Sequence, residues 1–360
     1  LSCDCFFCFL FVCRSFCFAI LCGFWLSSSF FSSRLFRRGF LPFITIFLNF
    51  LAFVSFAQSE ELIKFGEFDR WLQRDIKESA IIGGDTQTLF EVAPSAHWTK
   101  ANGKLNVPYT NQGGSPWATS NVYAKVSGIS KTNSSVYRDR HLDGYCAKLV
   151  THVVKVKVLG VINISVLASG SIFTGEMIEP ITGTDNPMSK MDMGMPFNRR
   201  PKAIKFDYKV QLSGEPNRIR QTGFSKVTTV AGKDMPELTV ILQQRSEDAE
   251  GNITAKRVGT IVYNFSESTD GWVEGKCFDI HYGDITNSPV YTKRMELIRG
   301  DKAIYARNSK GQNVPVDENG WTDASAIPTH AIVKFDSSHG GAYIGSIGTT
   351  LWVDNIKWVY

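Results

Sequence analysis

Residues 204–210 place the tightest constraint on the fold. Ile204, Phe206, Tyr208 and Val210 alternate with Lys205, Asp207 and Lys209. A period of two gives one apolar and one charged face, which is a strand of a half-buried antiparallel sheet. Pro201 lacks a backbone donor and pushes Arg200 into extended geometry, so the strand starts just after it. Phe206 and Tyr208 are expected to point inward, and Asp207 outward or to a sheet edge. Upstream, Ile172–Glu176 reads as a strand end with a carboxylate at its tip. Pro180–Met193 reads as a polar, turn-rich loop. The adjacent Arg199 and Arg200 put cations at a sheet edge, where guanidinium groups fork onto carboxylates.

The β signal recurs along the chain. It appears in Leu89–Val92, Trp117–Val126, Tyr145–Val158, Gly160–Ile172, Leu238–Gln243, Val258–Asn264, Trp272–Ile280, Ala331–Phe335 and Leu351–Tyr360. These runs are rich in β-branched and aromatic residues and are punctuated by turns. Between Gln243 and Val258 the DAEGN turn marks a hairpin. Its acidic run is read as a solvated turn and not a calcium loop, because Arg257 stands where a bidentate Glu would be needed. From Glu60 to Ala80, Phe65, Phe68, Trp71 and Leu72 recur at helical spacing, while an opening strand over Leu62–Phe68 fits as well. Asn102–Pro116 is loop-like. There is no βαβ rhythm and no internal repeat. The expected fold is all-β, a jelly-roll-like β-sandwich of two antiparallel sheets.

The N-terminal stretch is of another kind. Six of the eight cysteines fall within the first 22 residues, and the first methionine is Met177. Arg34-Leu35-Phe36-Arg37-Arg38 is a basic segment, Leu41–Phe56 is apolar, and Ser55-Phe56-Ala57 has the small-x-small form of a signal-peptidase site. The reading is a signal peptide beginning near residue 34 and cleaved after Ala57, with a single domain over residues 58–360. A membrane anchor is the competing reading. No cysteine at the cleavage point signals lipidation, so the expected location is secreted, periplasmic or cell-surface. Residues 1–57 hold four of the 39 Lys/Arg and one of the 34 Asp/Glu, leaving 35 basic against 33 acidic side chains. That balance gives no reason to invoke nucleic acid or an anionic membrane. Cys146 and Cys277 remain, and they read as small buried hydrophobes, not as a disulfide framework.

No enzyme motif is decisive. G-x-S-x-G and H-E-x-x-H are missing from the sequence, and C-x-x-C is missing from residues 58–360. Gly340–Gly345 lies between strands without a following helix, so it is a close-packed turn and no phosphate cradle. His281 and Asp284 read as a turn with a local hydrogen bond. Glycosidic cleavage needs two carboxylates about 5–10 Å apart. Glu176, Asp207, Glu274 and Asp284 are available, with Glu176 and Asp207 the catalytic candidates.

The phrases SIFTGEM, GMPFNRRPKAIKFDYK and GAYIGSIGTTLWVDNIKW resemble the putative carbohydrate metabolism domain, over about Phe65 to Tyr360. This is a family of secreted β-sandwich proteins from glycan-degrading Gram-negative gut bacteria. The resemblance implies binding of an oligo- or polysaccharide, with glycoside hydrolysis on the same sandwich or a surface adhesive role as alternatives. The site is expected where the loop Pro116–Asn121 meets the Glu176 strand end and the Arg199-Arg200 entry. There Trp117 would stack on a sugar face, Asn121 would hydrogen-bond hydroxyls, Glu176 would accept from hydroxyls, and Arg200 would donate a fork. The loops of Trp98 and Trp321 are the other locations considered, and Trp352 and Trp358 are read as core. A structural calcium between the first and last strands, held by Glu67 and Asp354, is weighed against a turn or salt bridge at Asp354.

Overall fold

The computed structural model describes residues 59–93, 104–111, 114–158, 162–183, 186–223 and 226–360, with no side chains described for 156–163. The expected signal peptide and Trp98 lie outside the described residues. Residues Ser59–Tyr360 form one compact unit. Among the described residues the helical elements are short 3₁₀ turns, and everything else regular is strand.

Two large sheets build the all-β sandwich. The first runs Val273–Asp279, Ala203–Gln211, Thr350–Val359, Gly144–Val150, Val136–His141, with Glu60–Leu62 added alongside the long Thr350–Val359 strand. The second runs Met191–Met193, Ser171–Met177, His330–Asp336, Glu237–Glu247, Ile253–Asn264, Asn313–Trp321, Ile304–Arg307. All these pairings are antiparallel except one: Ile253–Asn264 lies parallel to Asn313–Trp321. The expectation of two purely antiparallel sheets is corrected at that point.

Period-two alternation places the core. Phe206, Leu149, Leu351 and Val353 from the first sheet meet Ile172, Leu238, Val240, Val333 and Phe335 from the second. The intervening residues of the second sheet, Phe173, Ile241 and Ile332, turn to the opposite face and bury a second cluster with Ile304 and Val316. The Ser171–Met177 strand is therefore buried on both sides along its middle, and only Ser171 and Glu176 are part-exposed.

The opening segment is a correction to the helical spacing. Glu60–Leu62 is a strand, residues 64–67 turn, and Trp71–Lys77 is a second strand paired with Thr86–Val92. Gly66 lies so close to the Ile356 backbone that a Cβ there would press on its carbonyl, and Ile63 N–H and Gly66 C=O bond to Ile356. Phe65 and Phe68 take left-handed backbone angles of 59° and 46°. Tertiary contact with the last strand thus overrides the helical spacing of the aromatics.

The strand alternation at Ile204–Val210 is present, but Asp207 does not face solvent. It is 9% exposed. Bulges interrupt the pairing on both sides of it, and its carboxylate accepts from Gly275 N–H (2.6 Å) and Asn355 Nδ2 (2.8 Å). It stitches the irregularity together, as bulges need because their extra residue leaves ladder groups unpaired. Cys146 is buried and Cys277 exposed, and both are free thiols. Burial pushes the Cys146 thiol up to about 12.

A buried charge cluster ties the Trp71–Thr86 hairpin region to the sandwich. Arg74, 1% exposed, pairs with Glu91 and with Glu179 (2.8 Å), so one guanidinium faces two carboxylates. Burial pushes Glu91 up to about 7, against the pull of Arg74. The folded chain then holds a proton that the unfolded chain, with Glu near 4.3, releases. Between about pH 4.3 and 7 the folded state binds more protons, so this group's contribution to stability is fully present below that window and falls as pH rises through it. Glu91→Gln keeps the neutral shape. Its melting temperature relative to the unsubstituted protein is expected to rise steadily from pH 5 to pH 8, and a pH-independent difference would refute the assignment.

Candidate functional site

An open cleft of about 410 Å³ lies at one end of the sandwich. Its size is within the rough 300–1,000 Å³ range of small-ligand sites. Four segments wall it: Glu61–Lys64, the loop of Asn111 and Gly114–Pro116, the strand tip Gly175-Glu176, and Gly194–Phe197, with Trp358 beneath. Local backbone bonds fix this convergence. Gly175 N–H donates to Pro116 C=O and Gly194 N–H to Thr174 C=O, both at 2.8 Å. Gly175 sits at a φ of 146°, and a Cβ there would collide with the Asp192 carbonyl. Glycine is needed for the two chains to approach this closely.

Glu176 is the polar centre of the cleft. Its side chain is 34% exposed, and it accepts from Asn111 Nδ2 at 2.6 Å. Directly opposite it in the antiparallel ladder stands Asp192, and side chains so paired lie on one face. Arg307 spans the two carboxylates: Nη2 is 3.7 Å from Glu176 and Nε 3.7 Å from Asp192. The Arg307 backbone N–H also donates to Asp192 at 3.0 Å. The apolar side of the cleft is Met195, Pro196 and Phe197. Phe197 is half-buried, with its ring resting on Trp358 at 5.0 Å between centroids. Glu61 and Lys64 complete the rim, Glu61 paired with Arg199 and Lys64 Nζ donating to Gly114 C=O at 3.2 Å. The arrangement offers an apolar ring face beside an amide, carboxylates and cations.

Of the segments named from sequence, Pro116 and Glu176 line this cleft and Arg199 reaches only its rim residue Glu61, while three of the named side chains do other work. Trp117 is 0% exposed; its indole N–H donates to Lys64 C=O at 3.0 Å and its ring packs edge-on to Phe68. It presents no face to a sugar, because its strand pairs with the doubly buried Ser171–Met177 strand. Asn121 is 1% exposed. Its two amide hydrogens go to Phe90 and Val136 C=O, and its oxygen accepts from Ser135 and Val136 N–H. All four of its bonds are used, leaving none for a hydroxyl. Arg200 Nη1 donates to Ala324 and Ala326 C=O, both at 2.8 Å, and its guanidinium lies 4.2 Å from the Tyr282 ring centroid. It closes a neighbouring loop. Asp207 belongs to the other sheet and is fully engaged there, as described above. Phe197, Asn111 and Asp192 were not singled out from sequence. Phe197 sits in the recognisable GMPFNRRP phrase, whereas nothing in the sequence marks Asn111 or Asp192.

The two residues weighed for calcium also have protein surroundings. Asp354 accepts from Asn355 N–H (2.8 Å) and lies 2.6 Å from His141 Nδ1. Glu67 is half-buried in the preceding loop, with one oxygen unpartnered. Among the described residues no three His, Cys, Asp or Glu side chains group to hold a metal. Trp352 and Trp358 are core, 7% and 3% exposed. Among the described residues no helix is long and apolar enough to cross a membrane.

The family model of the putative carbohydrate metabolism domain matches residues 90–281, more than half the chain. The chain belongs to this family. Its function is therefore carbohydrate-related. The match takes in Asn111, Glu176, Asp192 and Phe197. Two solved structures are similar to this putative carbohydrate metabolism domain protein. One is described as a putative glycoside hydrolase from Bacteroides thetaiotaomicron, 17% identical, covering 80% of this chain and 71% of that one, with a TM-score of 0.43. The other is described as a putative glycoside hydrolase from Bacteroides vulgatus, 14% identical, covering 66% of this chain and 89% of that one, with a TM-score of 0.38. No curated protein matches.

Proposed function

We propose that the chain is an exported glycan-binding protein that takes an oligo- or polysaccharide segment in the Glu176 cleft. One observation carries this reading. An aromatic ring, Phe197, lies beside an amide and a carboxylate, Asn111 and Glu176, in one open cleft. Sugars present a flat apolar face edged by hydroxyls. A ring takes the face, while carboxylates and amides take the hydroxyls. Openness suits a chain segment that enters and leaves at both ends. The N-terminal basic, apolar and small-x-small pattern supports export.

The test is binding to a panel of glycans by array and calorimetry. Phe197→Ala is expected to weaken the best ligand by about 1 kcal/mol, since aromatic contacts contribute on that scale. Glu176→Gln is expected to weaken it by about 1.5–3 kcal/mol, the scale of one hydrogen bond to a charged group. Unchanged affinity in both variants, with folding intact, would move binding away from this cleft.

A hydrolytic reading has one specific support, the facing Glu176 and Asp192 carboxylates. Two such groups on one face are what glycosidic cleavage uses, one as acid and one as base or nucleophile. If reducing sugar is released, Glu176→Gln and Asp192→Asn should each lower the rate at least about 100-fold. Release that survives both substitutions would remove this pair from the chemistry.

A further inference from the structure

A second charged surface lies outside the cleft. The edge strand Val136–His141 carries Arg138 and Arg140 on one face, both exposed. In the ladder Arg140 stands opposite Tyr145 and Arg138 is its diagonal neighbour. Both guanidinium groups rest over the Tyr145 ring, 5.0 Å and 4.4 Å from its centroid, and Arg138 also lies 5.8 Å from the Phe90 ring centroid. Two like charges on one side of a strand repel, so opposite charge beside them would be expected. Among the described residues, neither has a carboxylate within ion-pair distance. Asp139 points to the other face, to the Trp352 indole N–H (2.9 Å) and Lys148 (3.6 Å). Asp69, nearby, accepts from the Tyr145 backbone N–H at 2.9 Å.

We propose that Arg138, Arg140 and Tyr145 form an anion-reading subsite for an acidic polysaccharide, one bearing uronate carboxylates along its chain. The proposal rests on the glycan-binding reading above and names the class of glycan. Three observations carry it. A guanidinium pair held over one ring is restrained in position, and the planar fork suits carboxylates better than flexible lysines do. The cation pair lacks protein counter-charges, so charge complementarity calls for an anion. The geometry also joins the subsite to the cleft. The segment Ile63–Asp69 lines the cleft with Ile63 and Lys64 and reaches Tyr145 with Asp69. Five residues span at most about 18 Å, so one polysaccharide chain can occupy both places. Two linked contacts raise apparent affinity well beyond either alone. A general polyanion surface is a poorer match, because residues 58–360 carry 35 basic against 33 acidic side chains and the cations here are few and local.

The experiment measures binding of the full chain to polygalacturonate, to the same polymer after chemical reduction of its carboxyls, and to polyglutamate. Arg138→Gln/Arg140→Gln and Arg138→Lys/Arg140→Lys double variants are compared, with melting temperatures to verify folding. Polygalacturonate is expected to bind about tenfold or more tighter than its reduced form, with the advantage weakening as salt rises. The Gln variant should lose that advantage while keeping its affinity for the reduced polymer, and the Lys variant should recover only part of it. A folded Gln variant that binds polygalacturonate as the unsubstituted protein does would overturn the subsite. Equal affinity for acidic and reduced polymers would overturn it too, while leaving the glycan-binding reading intact. Binding to polyglutamate as tight as to polygalacturonate would overturn the assignment to a glycan. No binding to either polymer would overturn the subsite, while binding to another, neutral glycan in the panel would still uphold the cleft.

Discussion

Trp117→Ala is expected to lower the unfolding free energy by about 3–5 kcal/mol, the range for deleting a large buried ring and leaving a cavity. The ring is 0% exposed and packs in the main core with Phe68 and Ile172. Its indole N–H satisfies the Lys64 carbonyl at 3.0 Å. Removing the ring also frees that carbonyl at the wall of the cleft, so the Glu61–Lys64 segment loses one of its anchors. Denaturant unfolding measures the effect, and a loss under about 1 kcal/mol would show that the ring lies outside the core. Any fall in glycan affinity of this variant would therefore report cleft geometry and not a lost stacking contact. Phe197→Ala, which removes a ring at the cleft surface, separates the two effects.

Trp117 also shows how far the sequence could be read. The fold was legible because alternation is a local property: Ile204–Val210, Leu238–Gln243 and Ala331–Phe335 all lie in strands, and Phe206 and Tyr208 point inward as expected. The family phrases marked the strand tip at Glu176 and the Pro196–Arg200 entry, and those segments do converge. Roles within the site were harder to read. A Trp in Ser-Pro-Trp-Ala-Thr looks exposed by its polar neighbours, yet its strand is laid against a partner that is buried on both faces. Asn121 looks free to meet a hydroxyl, but four backbone groups distant in sequence consume its amide. Asp207 follows the charged side of the alternation, but two bulges turn it to a task inside the sheet. Asp192 and Arg307 are 115 residues apart, and only the strand order of the second sheet brings them beside Glu176. Non-local pairing of that sort leaves no periodic trace in one sequence.

Breaking the Arg257–Glu318 pair is expected to be as damaging as losing Trp117. Both side chains are 1% exposed. Arg257 Nε donates to Glu318 at 2.6 Å and Nη2 pairs with its other oxygen. Gln243 Nε2 and Ile298 N–H also donate to Glu318, both at 2.8 Å, and the guanidinium lies 5.4 Å from the Trp321 ring centroid. The pair spans the parallel junction of Ile253–Asn264 with Asn313–Trp321, where the register shifts between Ala255 and Lys256. Arg257→Met leaves Glu318 buried without its cation, an uncompensated charge that costs about 3–5 kcal/mol. Replacing both partners by Met removes the stranded charge, although Gln243 and Ile298 then lose an acceptor. The double variant is accordingly expected to be more stable than Arg257→Met by about 1 kcal/mol or more. Urea unfolding of the two variants decides it. If the double variant is the less stable, Glu318 is held by Gln243 and the Ile298 backbone well enough to stand alone. In that case the arginine serves packing against Trp321 more than charge.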